Sequence, residues 1–449
     1  MLRIKENATR ILAVLFCFVM PAAAQPLTIG EAIDLARQHS ERLQQAEFEI
    51  DKSAASVREA RGNLLPQVSA GTQYTGNIQR PVIFLPPDSP FGNVLRLGAN
   101  HSLNVNLQAS MPLYNARARR ALTVAQAAET MNRRLLQATT REVETEAQRA
   151  YLNALLAREL RDALRLSFDR RSRNLELVRA MEEHGVVPEY DLIRTDVQVR
   201  NLEPELVRAV NSYEGALNYL KLLTGIPMDR RIDIAGTLDD YYHADIKELE
   251  LRELSSDFSG NPSVMQIEGQ LSIAEKQVDL ERAAYRPSLS LMANRSYQSQ
   301  GDHLRLWAYD WIKTASLGVT LEIPVFNFHR SDRVRQAEIS VRQARSQLDF
   351  TERSLEVEYR TTLDRLAQTR QAIDSQRKNM SQAERVYGIA RASYEHGAHT
   401  LLDVNDAELA LTDARLNYIQ VLHDYLTTLL DMEDVLGREL TGFRSKEIR

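Results

Sequence analysis

The sequence predicts a mainly α chain with a β portion suited to a membrane barrel, built as two copies of a strand–strand–long-helical-hairpin unit. Three observations predict it. Glu183-His184-Gly185 precedes Asp191, and Glu395-His396-Gly397 precedes Asp403, with 212 residues between Gly185 and Gly397. Pro112 with Asn115 and Pro324 with Asn327 keep that interval, as do Gly225 and Gly437. A fixed long interval between turn residues marks a duplicated unit. The second observation is a pair of segments in which apolar and polar residues alternate. The third is the length of what lies between, since 18 Gly and 14 Pro in 449 residues cluster at a few places and leave long helical patterns uninterrupted.

The N-terminus has the form of a secretory signal. Arg3, Lys5 and Arg10 precede the apolar run Ile11–Met20, and Ala22-Ala23-Ala24 offers a small-residue cleavage site. The run is too short to cross a bilayer. Cys17, the only cysteine, lies inside it, so a chain starting at Gln25 would carry no thiol. Phe16 before Cys17 does not suit lipoprotein processing, which needs a small residue there. The whole chain has net charge −5, and loss of residues 1–24 makes it more acidic, which does not suggest a nucleic-acid partner.

Each half opens with a helix. Thr28 and Glu31 have capping-box spacing ahead of Ala32, Ile33 and Leu35, and the helical pattern runs to about Leu64, where Pro66 stops it. Pro287 stops the matching helix. Strands follow at about 67–75 and 103–113, then at about 288–297 and 315–325. In the longer ones, Leu103, Val105, Leu107, Ala109 and Met111, and Ala315, Leu317, Val319, Leu321 and Ile323, alternate with other residues that are mostly polar. Tyr74, Tyr114, Tyr285, Tyr297, Trp307, Trp311, Phe326 and Phe328 sit near the strand ends. Strands of about ten residues with one apolar face and flanking aromatics fit a membrane barrel. A half-buried hairpin of a soluble sheet shows the same alternation. Four strands cannot close a barrel, and an open edge in lipid leaves backbone groups unsatisfied, so the membrane reading requires several chains to share one barrel.

Helical hairpins fill 115–224 and 327–436. Their first arms run unbroken to Glu183 and Glu395, roughly 100 Å each at about 1.5 Å per residue. Gly185 and Gly397 then supply the left-handed turn. The return arms carry apolar stripes at three–four spacing: Leu192, Thr195, Val199 and Leu202 onward, and Val404, Ala407, Leu411 and Ala414 onward. Leu402, Leu409, Leu416 and Leu426 add part of a second stripe, which gives the helix two helical neighbours. Pro204 should kink the first return arm. The chain therefore divides into a signal (1–24), a first repeat (25–240) that ends in a polar equatorial linker, a second repeat (241–440) and a tail (441–449).

These features resemble the TolC family of outer-membrane efflux proteins. The residues that carry the resemblance are Leu27-Thr28-x-x-Glu31-Ala32, the strand exits Met111-Pro112-Leu113-Tyr114-Asn115 and Ile323-Pro324-Val325-Phe326-Asn327, the tip Tyr394-Glu395-His396-Gly397, then Leu402-Asp403-Val404-x-Asp406-Ala407 and Leu436-Gly437. The resemblance covers essentially the whole chain after the signal. It implies a homotrimer in the outer membrane of a Gram-negative cell, with a 12-stranded barrel from four strands per chain and an α-helical barrel in the periplasm. Such a protein docks a periplasmic adaptor and an inner-membrane transporter of RND, ABC or MFS type, and conducts cargo without chemistry or cofactor. Asp403 and Asp406 then fall at the periplasmic constriction, where like-charge repulsion in a ring raises carboxylate pKa values and favours cations. Arg194 matches Asp406 in the first hairpin, so the acidic ring comes from the second alone. A tip latch falls on Asp191, Tyr394 and, where the family has Arg, His399. A His pairs with an acid only when protonated, so the latch should tighten in mild acid. Gly185 and Gly397 mark the surfaces expected to touch the adaptor.

Two other classes compete. An enzyme would need a recognisable catalytic set, but the nine histidines are scattered, and His396 with His399 lacks a third metal ligand. A periplasmic coiled-coil adaptor or scaffold would also show a signal and long hairpins. It would need neither two hairpins at a fixed interval nor alternating strands with aromatic ends.

Overall fold

The computed structural model describes residues 26–86, 90, 92–242, 257–326 and 328–440. The signal-like segment with Cys17, part of the linker (243–256), Asn327 of the second strand exit and the tail 441–449 lie outside the described residues. Two units divide the chain: one of Met1–Gln45, Leu136–Pro262 and Glu352–Arg449, the other of Ala46–Leu135 and Ser263–Thr351.

The second unit holds the sheet. Strands β1 (Gln67–Gly76), β4 (His101–Asn115), β5 (Ser288–Gly301) and β6 (Ile312–Glu322) pair antiparallel in that order. The last ends at Glu322 rather than near Val325, with Pro324 unable to donate to a ladder just beyond. A short hairpin, β2 (Val82–Phe84) with β3 (Val94–Arg96), stands in the loop that alternation left featureless.

Register decides what the alternation means. Val68 faces Ala109, Ala109 faces Ala293 and Ala293 faces Leu317. Ala70–Leu107 and Met111–Leu291–Val319 continue the same face, so the apolar positions of all four strands share one side. Gln73–Asn104–Gln298 and Gly71–Asn106–Ser296–Thr314 line the other. The apolar side is bare: Leu317 is 75% exposed, and Val319 and Leu321 are exposed beside it. Below the strands, helix α6 (Pro262–Ala283) meets the start of α3 (Ala116–Glu183) where Gly269 admits Met131, and Arg120–Asp279 (3.4 Å) lies along that contact. Arg282–Glu338 (2.6 Å) and Arg345–Glu275 (2.9 Å) tie α6 to α7 (Phe328–Glu395).

The first unit is helical. The capping box predicted at Thr28 and Glu31 starts α1 (Ile29–His39). The opening helix is not continuous to Leu64, however. Ser40 is extended, and α2 (Glu41–Gly62) begins anew after it. Helix α3 turns into α4 (Glu189–Thr224), and α7 into α8 (Leu401–Leu436); the arms match, at 68 and 36 residues in each hairpin. Helix α4 runs on through Pro204. Gly225 and Gly437 close the return arms at φ 69° and 63°.

The core gathers α1, the middle of α3 and the ends of the return arms, with Tyr151, Leu220, Leu422 and Leu429 fully buried. Part of the linker belongs to it, which its polar composition does not suggest. Leu27 bridges Ile234 in parallel, and α5 (Leu238–Tyr241) buries Leu238 and Tyr241 in the same core. Arg158 reaches the carbonyls of Ile234 and Gly236. Tyr418 donates to Asp239 at 2.6 Å, and Arg377 donates to Tyr418 at 3.0 Å. The linker segment is thus bound to α3, α7 and α8.

Candidate functional site at the hairpin tips

Both tips are built the same way. In the first, the Gly185 amide donates to the Glu182 carbonyl and the Val186 amide to Met181, both at 2.8 Å. In the second, Gly397 donates to Tyr394 at 2.9 Å and Ala398 to Ser393 at 2.8 Å. This double closure needs a left-handed residue after the helix, and the glycines supply it at φ 71° and 74°. His184 and His396 place Nδ1 at 2.9 and 2.7 Å from the carbonyls of Ala180 and Ala392. His396 is thus engaged in ending its own helix. Among the described residues, no three His, Cys, Asp or Glu side chains converge as a metal site.

The tips differ in how the return arm starts. Pro188 precedes α4 without a side-chain cap, whereas Thr400 precedes α8 and forms a capping box with Asp403. Asp403 Oδ2 accepts from the Thr400 hydroxyl (2.7 Å) and amide (2.9 Å) and lies 3.4 Å from His399 Nδ1. The Thr400 hydroxyl first, then its amide, with a smaller contribution from His399, hold the Asp403 carboxyl below its ordinary value. Within one chain the shift is therefore opposite to that of a repelling ring. Asp406 is exposed one turn on, and Arg194 is half-buried at the matching position of α4.

Of the three residues assigned to a latch, the fold brings two into electrostatic reach. Tyr394 is half-buried, with its hydroxyl 3.5 Å from Met181 Sδ of the first hairpin. Burial and then the charge of Asp191 raise its pKa. His399 instead turns to Asp403 on its own hairpin, and no hydrogen bond or ion pair joins it to Asp191 or Tyr394 among the described residues.

Sequence reasoning missed a cleft beside the tip, between α3 and the second hairpin. Arg170, Arg173, Arg391, Tyr387, Tyr394 and Glu408 line it. Glu408 is 4% exposed, with Arg170 3.7 Å away, and the same guanidinium lies over the Tyr387 ring at 5.2 Å. Burial pushes the Glu408 carboxyl up, and Arg170 opposes it only in part. The available signal was spacing: Glu408 follows Ala407 of the apolar stripe and stands one turn after Val404, on a face that packs.

Sequence and structure comparisons agree with this architecture. The profile of the family described as outer membrane efflux protein matches residues 32–226 and 255–438. The cobalt-zinc-cadmium resistance protein CzcC of Cupriavidus metallidurans is 22% identical over 420 residues, covering 93% of this chain and 91% of the relative. The outer membrane protein TolC of Escherichia coli is 22% identical over 428 residues, covering 92% and 83%. In fold, the CmeC outer membrane channel of Campylobacter jejuni superposes with a TM-score of 0.73 at 18% identity, over 93% of this chain and 87% of that one. The profile match spans most of the sequence, and the chain belongs to the outer membrane efflux protein family.

Proposed function

We propose that three copies of this chain form an outer-membrane conduit, the outer part of a tripartite efflux or type I secretion system. The observation that carries this reading is the sheet. Its register sorts apolar from polar side chains across four strands and leaves β1 and β6 as free edges. Open edges are not tolerated in lipid, and pairing β1 of one copy with β6 of the next closes a 12-stranded barrel with polar side chains inward. The helical hairpins, one per repeat (25–240 and 241–440), form the periplasmic tube. The conduit has no catalytic step; its cargo is chosen by an inner-membrane transporter of RND, ABC or MFS type. A periplasmic adaptor docks around Gly185 and Gly397.

At the periplasmic end, Asp403 and Asp406 of three copies form the constriction, and Asp191, Tyr394 and His399 hold it shut. Thr400 keeps Asp403 ionised into mild acid, which supports cation selectivity. Single-channel conductance of the purified mature protein in a planar bilayer tests this. The expected result is small, cation-selective steps that grow severalfold in Asp403→Ala/Asp406→Ala. A protein that does not conduct and is released with the periplasm would instead be an adaptor-like scaffold. Equal conductance of the native protein and His399→Arg from pH 5.5 to 8 would remove His399 from the latch.

A further inference from the structure

The four long strands carry three formal charges: Arg295, Lys313 and Glu322. Glu322 faces Ser288 on the polar side, at the end joined to the helices. The two cations lie together on the other side. Arg295 faces Ala315 and Tyr297 faces Lys313, which makes Arg295 and Lys313 diagonal neighbours on the face of Leu291, Leu317 and Val319. Both are exposed, and among the described residues no carboxylate lies within ion-pair distance of either. Among the described residues, the Arg295 guanidinium contacts the Tyr297 ring, 5.3 Å away.

The first half shows what this position does without charge. By strand register its counterparts are Tyr74 and His101, again a diagonal pair, since Tyr74 faces Leu103 and Gly76 faces His101. Tyr74 Oη and His101 Nδ1 are 2.8 Å apart and the rings stack at 14°. That pair satisfies itself. In the second half, two like charges occupy the same diagonal and repel, on a face whose apolar side chains point to lipid. Diagonal side chains at roughly 7–8 Å still interact, and a cation on the lipid face is tolerated only near an interface. One anion between them removes both penalties.

The level on the strands identifies the anion. Lys313 is the second residue of β6, beside the loop 302–311, while the helix-joined ends are Ser288 and Glu322. The apolar run from Leu321 to Ala315 covers roughly 20 Å of strand before the cations begin. With the helices in the periplasm, Arg295 and Lys313 stand at the outer rim of the apolar band. The lipid headgroup there is the phosphorylated glucosamine of lipopolysaccharide, and its phosphate is the acceptor that a Lys–Arg pair fits. We infer that Arg295 and Lys313 form a docking site for a phosphate of the outer-leaflet glycolipid, one site per copy, an inference that rests on the barrel reading above.

The test uses the full-length trimer in detergent, with lipid A, dephosphorylated lipid A and phosphatidylglycerol as probes, read by native mass spectrometry and thermal unfolding. The expected result is retention of lipid A at least tenfold tighter than the dephosphorylated form. Arg295→Gln/Lys313→Gln should lose that preference, and Arg295→Lys should keep most of it. Equal lipid A binding by the double variant overturns the inference. So does equal binding of lipid A and its dephosphorylated form, or of lipid A and phosphatidylglycerol, by the native protein. If the double variant does not assemble, Lys313→Gln alone and the three-lipid comparison on native protein give the same decision. Conductance separates the two readings: a native channel that conducts but ignores phosphate sinks this inference alone, whereas a native protein that does not conduct sinks the barrel beneath it.

Discussion

Thr400 donates its hydroxyl to Asp403, so one side chain both starts α8 and favours the ionised form of the carboxyl proposed to line the constriction. Asp403 is depressed in the folded chain, and its charge persists until the pH falls through that lowered value. Thr400→Ala should cost about 1 kcal/mol of local helix stability. It should also move the loss of cation selectivity to higher pH, read as reversal potential against pH. An unchanged profile would mean that Asp403 does not set selectivity. Glu408 works with the opposite sign. Burial raises it from 4.5, so the folded chain keeps a proton that the unfolded chain releases, and stability falls as pH rises. Glu408→Gln should therefore unfold later than the native protein at pH 8 and together with it at pH 4. A less stable variant at pH 8 would show that the Arg170 contact outweighs burial.

Among elements, the return arms carry the contrast. Helix α8 is the best-buried arm, and its three–four stripe from Val404 to Val435 is buried at every position except the half-buried Val421. Helix α4 has fewer buried positions, and Pro204 interrupts its ladder because proline has no N–H to offer. Pro204→Ala should slow amide exchange around residues 200–208 severalfold. Unchanged exchange would mean that packing already holds that stretch. The two tips show how a glycine ends a helix where no side chain could. Neither Gly185 nor Gly397 has an atom within 4 Å of an added Cβ, so any penalty for alanine there is purely conformational.

At the scale of the whole molecule, β1 and β6 are the edges of the four-stranded sheet, and the proposed assembly pairs them between copies. Cysteines placed along β1 at residues 68–74, each combined with Val319→Cys on β6, should cross-link at one or two registers into species no larger than three chains. The only native cysteine, Cys17, lies in the segment read as removed. Cross-links that run to long ladders would indicate an open stack of sheets, and none at any position would argue against shared edges.

The elements were legible because they are written locally. Period-two alternation marked β4 and β6, three–four spacing marked the return arms, and Gly185, Gly225, Gly397 and Gly437 marked the turns, each of which has positive φ. Local pattern was weaker where a single residue decides: the break at Ser40 and the short hairpin 82–96 went unread. The sequence by itself thus determined the order and amphipathic sides of the main elements, since those follow from side-chain period and backbone sterics. Only the tertiary structure decided which side chains meet. It turned His399 toward Asp403, buried Glu408 against Arg170, drew Ile234 and Tyr241 into the helical core and set Arg295 beside Lys313. Such meetings depend on register and packing between residues distant in the chain, which no local period encodes.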